Sequence, residues 1–170
     1  MKITGVKIKL PKSEKALHNF FKNCKTRHKF VDDVPEHHKK RLKKAKHDLN
    51  RAIAEFEDDC WDWTIIKSYY AIFHAGNALL SKKKGIFSKD HSCLIVALKI
   101  WNLVDKKLFS KISSIYERFS DIISIDLSFQ LRKISQYDVD LWEDLTRDDA
   151  LKILDLAKEF VSYVEEEIYA

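Results

Sequence analysis

An all-α fold, an up-and-down bundle of four to five long helices with additional terminal helices, is what the sequence predicts. Three observations carry that expectation. The chain of 170 residues holds only three glycines and two prolines, and sheets joined by tight hairpins need more turn residues than that. Apolar residues make up 45% of the chain, enough for the core of a single domain. Those residues recur at steps of three and four over long stretches, as one face of a helix requires.

The elements are expected in the following order. Val6, Ile8 and Leu10 alternate with lysines and read as one short strand or arm ending at Pro11. Ser13 caps a first helix whose apolar face is Ala16, Leu17, Phe20, Phe21 and Cys24. A polar break covers Arg27 to Asp33, and Pro35 stands at the start of a second helix. Leu42, Ala45, Leu49, Ala52, Ile53 and Phe56 make that helix long and amphipathic. A third runs from about Trp61 to Ser81 and is stopped by Lys82, Lys83, Lys84 and Gly85, cations and then glycine. Ser88 and His91 begin a fourth helix through Trp101 and Leu103. A fifth covers roughly Phe109 to Ile134. Thr146, with Asp149 three residues on, opens the last by a capping-box variant. No internal repeat, linker or low-complexity segment interrupts this series, so residues 1–170 read as one domain: a core at about 36–140, a basic extension at 1–35 and an acidic terminal helix at 146–168.

Charge is unevenly placed. Residues 1–47 hold 15 Lys/Arg against 4 Asp/Glu, whereas the stretch from Asp138 onward holds 3 against 11. The two ends can attract each other between subunits, or the basic arm can meet nucleic acid; a solvated helix face is the plain alternative. The run from His37 to His47 is a candidate for phosphate contact, but without an aromatic residue it offers no base stacking. Cys24, Cys60 and Cys93 are odd in number and widely spaced, which predicts reduced thiols. With no signal peptide and no apolar run approaching the roughly 20 residues of a membrane span, a cytoplasmic protein is expected. No metal-ligand pattern, Gly-rich phosphate loop or cofactor motif is present.

The most informative stretch is Ser68 to Leu80. Tyr70, His74 and Asn77 lie on one stripe of an otherwise apolar helix. Three polar groups so placed bond either each other or a ligand. Together with Ser88-Lys89-Asp90-His91-Ser92 and with Leu131 to Asp138, this stretch resembles the HEPN (higher eukaryotes and prokaryotes nucleotide-binding) superfamily, closest to its small stand-alone archaeal and bacterial members. The resemblance covers residues 36–140. It implies a helical bundle, a homodimer, and a site between helices or across the dimer. Members that cut RNA carry an Arg followed four to six residues later by His. Here Arg132 stands at the Arg position and Tyr137 at the position five residues on, and no histidine follows His91. A phenol titrates near 10, so Tyr137 is a poor base at neutral pH.

The residues expected at a ligand site are Arg132, Tyr137, His74, Tyr70, Asn77 and Asp138, with Arg132, Tyr137 and His74 as the candidates for any catalysis. Each also has a structural reading: the helix stripe as a self-bonded core feature, Arg132 as the ion-pair partner of Asp138. The resemblance implies a regulatory protein binding a nucleotide or RNA phosphate, possible company in a minimal nucleotidyltransferase of a toxin–antitoxin pair, and, as alternatives, a metal-independent ribonuclease or a helical interaction protein without ligand.

Overall fold

The computed structural model describes residues 8–123 and 139–170. It is helical nearly throughout. Helix α1 is Glu14–Thr26, α2 His37–Glu57, α3 Trp61–Lys84, α4 His91–Ile100, α5 Lys106–Ile123, α6 Val139–Glu143 and α7 Arg147–Tyr169. The all-α expectation holds.

Helix α3 is the centre. Its mixed apolar surface leaves Ile65, Ala71, Ala75, Ala78, Leu79 and Leu80 almost wholly buried, because α2, α7, α4 and α5 pack around it. Small residues permit the closest approach: a Cβ added at Gly76 would stand 3.0 Å from Leu94 Cδ2 of α4. The helix ends where the sequence says it should, at Gly85 with φ 70°, a left-handed position that glycine takes without steric cost. Helix α7 covers α2 and α3 with Ala150, Ile153, Ala157, Phe160 and Val164. Its capping box is formed, Thr146 and Asp149 each accepting the other's backbone N–H.

Several expectations are corrected or sharpened. Residues 8–10 form an arm and not a strand: the Ile8 N–H donates to Ser120 Oγ and the Leu10 N–H to Glu117 Oε1 on α5. The polar break contains a strand, β1 (Phe30–Asp32), paired antiparallel with β2 (Ile86–Ser88). Three-residue strands carry too little alternation to be seen in sequence. Helix α5 begins before Phe109, since Asp105 caps it by accepting the Leu108 N–H at 2.7 Å; its expected end near Ile134 lies outside the described residues. The acidic helix α7 forms ion pairs within the same chain, Glu165 with Lys46, Glu167 with Lys83, Glu159 with Lys111 and Asp149 with Arg118.

The clearest correction concerns the cysteines. Cys24 of α1 and Cys93 of α4 form a disulfide, with Cα atoms 5.9 Å apart. The expectation of reduced thiols holds only for Cys60. The two partners are 69 residues apart, and only the docking of α1 on α4 brings them together. Among the described residues no helix is long and apolar enough to cross a membrane.

Candidate functional site

The stripe Tyr70–His74–Asn77 faces the seam where α3 meets α2 and β2, and the fold divides its three members between different partners. Asn77, 1% exposed, is bonded at both ends of its amide to one residue. Its Nδ2 donates to the Ser88 carbonyl at 3.0 Å and its Oδ1 accepts the Ser88 N–H at 2.8 Å. The amide thereby completes the backbone pairing of the inner edge of β2. Replacing Asn77 by Ala strips a buried N–H and a buried carbonyl of their partners. A loss of about 3 kcal/mol in unfolding free energy is expected, measured by urea denaturation. A loss below about 1 kcal/mol would mean that water enters and replaces the amide.

His74 lies one turn away, with 24% of its side chain exposed and Nε2 3.7 Å from Asp48 Oδ2 on α2. Burial pushes its pKa below the usual histidine value, Asp48 pulling the other way and Lys44 and Arg41 adding to the fall. Asp48 is itself buried. Its Oδ1 is bonded by Lys44, and Oδ2 has no hydrogen-bond partner. At 3.7 Å the imidazole is beyond hydrogen-bond length, and a small rotation or a ligand donor would satisfy the carboxylate oxygen. The Tyr70 ring stacks at 6.3 Å on His74.

At the far end of the seam Arg41 forms a two-pronged bond to Asp33, Nε to Oδ2 at 2.7 Å and Nη2 to Oδ1 at 3.1 Å. This holds the Asp33 carboxyl down at about 2. Of the basic run His37–His47, Lys39 pairs with Glu36, Arg41 with Asp33, Lys44 with Asp48 and Lys46 with Glu165, and His38 is buried. Much of the charge that made the run a phosphate candidate is neutralised inside the molecule.

A second imidazole was not expected at this depth. The sequence reads His91 as the opening of α4, but the cap is Asp90, which accepts the Cys93 N–H at 2.9 Å. His91 is buried between rings: Phe73 stacks on it at 4.1 Å and Tyr69 at 5.1 Å, and Tyr116 continues the column 5.5 Å beyond Tyr69. His91 Nδ1 is hydrogen-bonded to the Tyr69 hydroxyl at 2.7 Å. Burial drives His91 down to about 4 and holds Tyr69 well above the ordinary phenol range. At neutral pH the imidazole is uncharged. The sequence carried the signal for the cap, Asp90 with Cys93 three residues on, but none for the ring column, whose members come from α3, α4 and α5.

Arg132, Tyr137 and Asp138 lie outside the described residues. Among the described residues, no group of three His, Cys, Asp or Glu side chains is arranged to hold a metal ion. The site geometry that the structure gives is therefore a half-buried His74–Asp48 pair flanked by Tyr70 and Lys44, with Phe73 and His91 behind it.

No curated protein matches the chain significantly. A family model of the HEPN domain matches residues 38–167, from the first turn of α2 nearly to the end of α7 and including every residue of the His74 seam except Asp33. By that match and by its helical architecture, the chain belongs to the HEPN domain family.

Proposed function

We propose that this protein binds a nucleotide or RNA phosphate in a regulatory role, as the homodimeric partner of a minimal nucleotidyltransferase in a toxin–antitoxin pair. Membership of the HEPN family supports a nucleotide- or RNA-related function in general. The observation that carries the reading on this chain is the His74–Asp48 pair. A partly exposed neutral imidazole, a carboxylate oxygen lacking a donor and the Lys44 ammonium stand together. Those groups match the two handles of a nucleotide, ribose hydroxyl and phosphate. Arg132 supplies the principal phosphate contact in this proposal, Tyr137 and Asp138 further ligand contacts, and Tyr70 a contact to the base or sugar. Exposed Trp63, Trp142 and Val139 are apolar surface of the kind a dimer covers, and light scattering at micromolar concentration should return twice the chain mass.

The test is an ATP titration by calorimetry into the wild type, Arg132→Ala and His74→Ala. Binding is expected to vanish in Arg132→Ala and to weaken about tenfold in His74→Ala, the loss of one hydrogen bond to a polar ligand. If both folded variants bind ATP like the wild type, the proposed site is wrong.

The same pair favours a second reading, a metal-independent ribonuclease. A small rotation that closed the 3.7 Å gap between His74 and Asp48 would let the carboxylate hold one imidazole nitrogen and leave the other as an acceptor, the arrangement a general base needs, and a depressed pKa keeps that base unprotonated at neutral pH. Incubation of the purified protein with structured and unstructured RNA in EDTA decides between the two. Little or no cutting is expected. Robust cutting lost in both Arg132→Ala and His74→Ala would establish the ribonuclease.

A further inference from the structure

Phe21 of α1, Phe30 of β1 and Trp101 at the end of α4 form a ring trio at the edge of the molecule. Phe21 and Trp101 meet edge to face at 4.9 Å, Phe21 and Phe30 lie 5.5 Å apart, and Phe30 and Trp101 6.0 Å apart. Phe21 is buried, whereas Phe30 and Trp101 are only partly covered. Lysines flank the trio. The Lys25 ammonium stands 4.6 Å from the Phe21 ring centre and the Lys84 ammonium 5.3 Å from that of Trp101. Lys29 immediately precedes Phe30, and its carbonyl accepts the Lys89 N–H at 2.9 Å, so two more cationic residues border the same edge. The acidic helix α7 leaves this charge in place, since its ion pairs go to Lys46, Lys83, Lys111 and Arg118. The disulfide between Cys24 and Cys93 fixes α1 against α4 and with it the geometry of the edge.

We infer that this edge, built by α1, β1 and the ends of α3 and α4, is a docking surface for a single-stranded polynucleotide. Partly exposed aromatic faces bordered by cations are what such a strand requires: a base stacks on a ring while its phosphates lie on the ammoniums. Duplex fits less well, because its bases are already stacked on each other. The surface uses other side chains than the His74 seam, although Phe30 pairs with Ser88 across the two strands, and part of it, including Phe21, Lys25 and Phe30, precedes the residues matched to the HEPN family. It extends the proposed nucleotide-binding role to a longer strand but stands on its own residues. It also outranks the His37–His47 run as an RNA contact, since most of that run's cations are paired inside the molecule and no Phe, Tyr or Trp stands within it.

The experiment is fluorescence anisotropy of labelled twelve-nucleotide oligouridine and oligothymidine with the full chain, at low and moderate salt. Lys25→Glu/Lys84→Glu should bind both strands at least about tenfold more weakly at low salt and lower the slope of log affinity against log salt by about 1 to 1.5, as two lost single-strand phosphate contacts require. Trp101→Leu should weaken binding by about tenfold with little change in slope, the loss of one stacked base. Lys40→Ala/Lys43→Ala should stay within about threefold of the wild type. Both Lys25 and Lys84 are on the surface, so the charge-reversed variant keeps its fold even if Trp101→Leu does not. Wild-type affinity in the charge-reversed variant, or a loss confined to Lys40→Ala/Lys43→Ala, overturns the inference. ATP binding measured in the same variants separates the two sites: it should survive charge reversal at Lys25 and Lys84, and its absence from the wild type would count against the nucleotide site alone.

Discussion

Reduction of the Cys24–Cys93 disulfide should lower the unfolding free energy by up to about 4 kcal/mol, the chain-entropy value for a closed loop of this length. The bridge joins residues 69 apart in sequence, and without it the unfolded chain regains the freedom that the loop removes. What remains to hold α1 is its apolar face, Leu17 and Phe21 in the core, together with the ring trio and the β1–β2 pairing. Urea unfolding with and without a phosphine reductant measures the effect, and Cys24→Ser/Cys93→Ser should reproduce it. Cys60 is an internal control. Burial and the neighbouring Asp62 carboxylate push its thiol up to about 11, so it forms little thiolate and exchanges slowly at neutral pH. In the oxidised protein, thiol labelling should therefore find a single slow group. An unfolding midpoint unchanged by the reductant, with the bridge shown to be open, would mean that the docking of α1 needs no covalent tie.

Acid should destabilise the protein through His91. Its folded pKa of about 4 lies below the ordinary value of 6.5, so the unfolded chain takes up the proton first. The stability this histidine contributes is fully present above pH 6.5 and is lost as pH falls through 6.5 toward 4. The loss amounts to about 2 kcal/mol by pH 5 and roughly 3 kcal/mol below pH 4. His74, also depressed by burial, acts in the same direction. The physical cause is the ring column: an imidazolium among Phe73, Tyr69 and Tyr116 would lose its hydration, and Nδ1 could no longer accept from the Tyr69 hydroxyl. His91→Phe together with Tyr69→Phe keeps the rings and removes both polar ends of that bond. In this double variant the fall between pH 7.5 and pH 5 should shrink by about 2 kcal/mol relative to the wild type. If it falls as steeply as the wild type, the acid response belongs to other groups.

Local order was legible in the sequence because it depends on near neighbours. Thr146 with Asp149 predicted the capping box of α7, Gly85 after three lysines predicted the end of α3, and the three-and-four spacing of Leu42 to Phe56 predicted the face α2 buries. The run from Ser68 to Leu80 also carried the family resemblance, and the match over residues 38–167 supports it. Helical periodicity placed Tyr70, His74 and Asn77 on one stripe, since side chains three and four apart must share a face.

Only the tertiary structure decided what that stripe meets. Asn77 finds the backbone of Ser88 on β2, and His74 finds Asp48 on α2, because the chain reverses between those elements and packs them against α3. The same holds for the disulfide, where unremarkable spacing in sequence becomes 5.9 Å between Cα atoms once α1 lies on α4. It holds for His91, whose depressed pKa comes from burial among rings carried by two other helices, α3 and α5. Sequence spacing fixes which side chains share one helix face. Which groups stand opposite that face, and whether water remains between them, depends on packing between segments far apart in the chain, and the chemistry of His74 and His91 is set there.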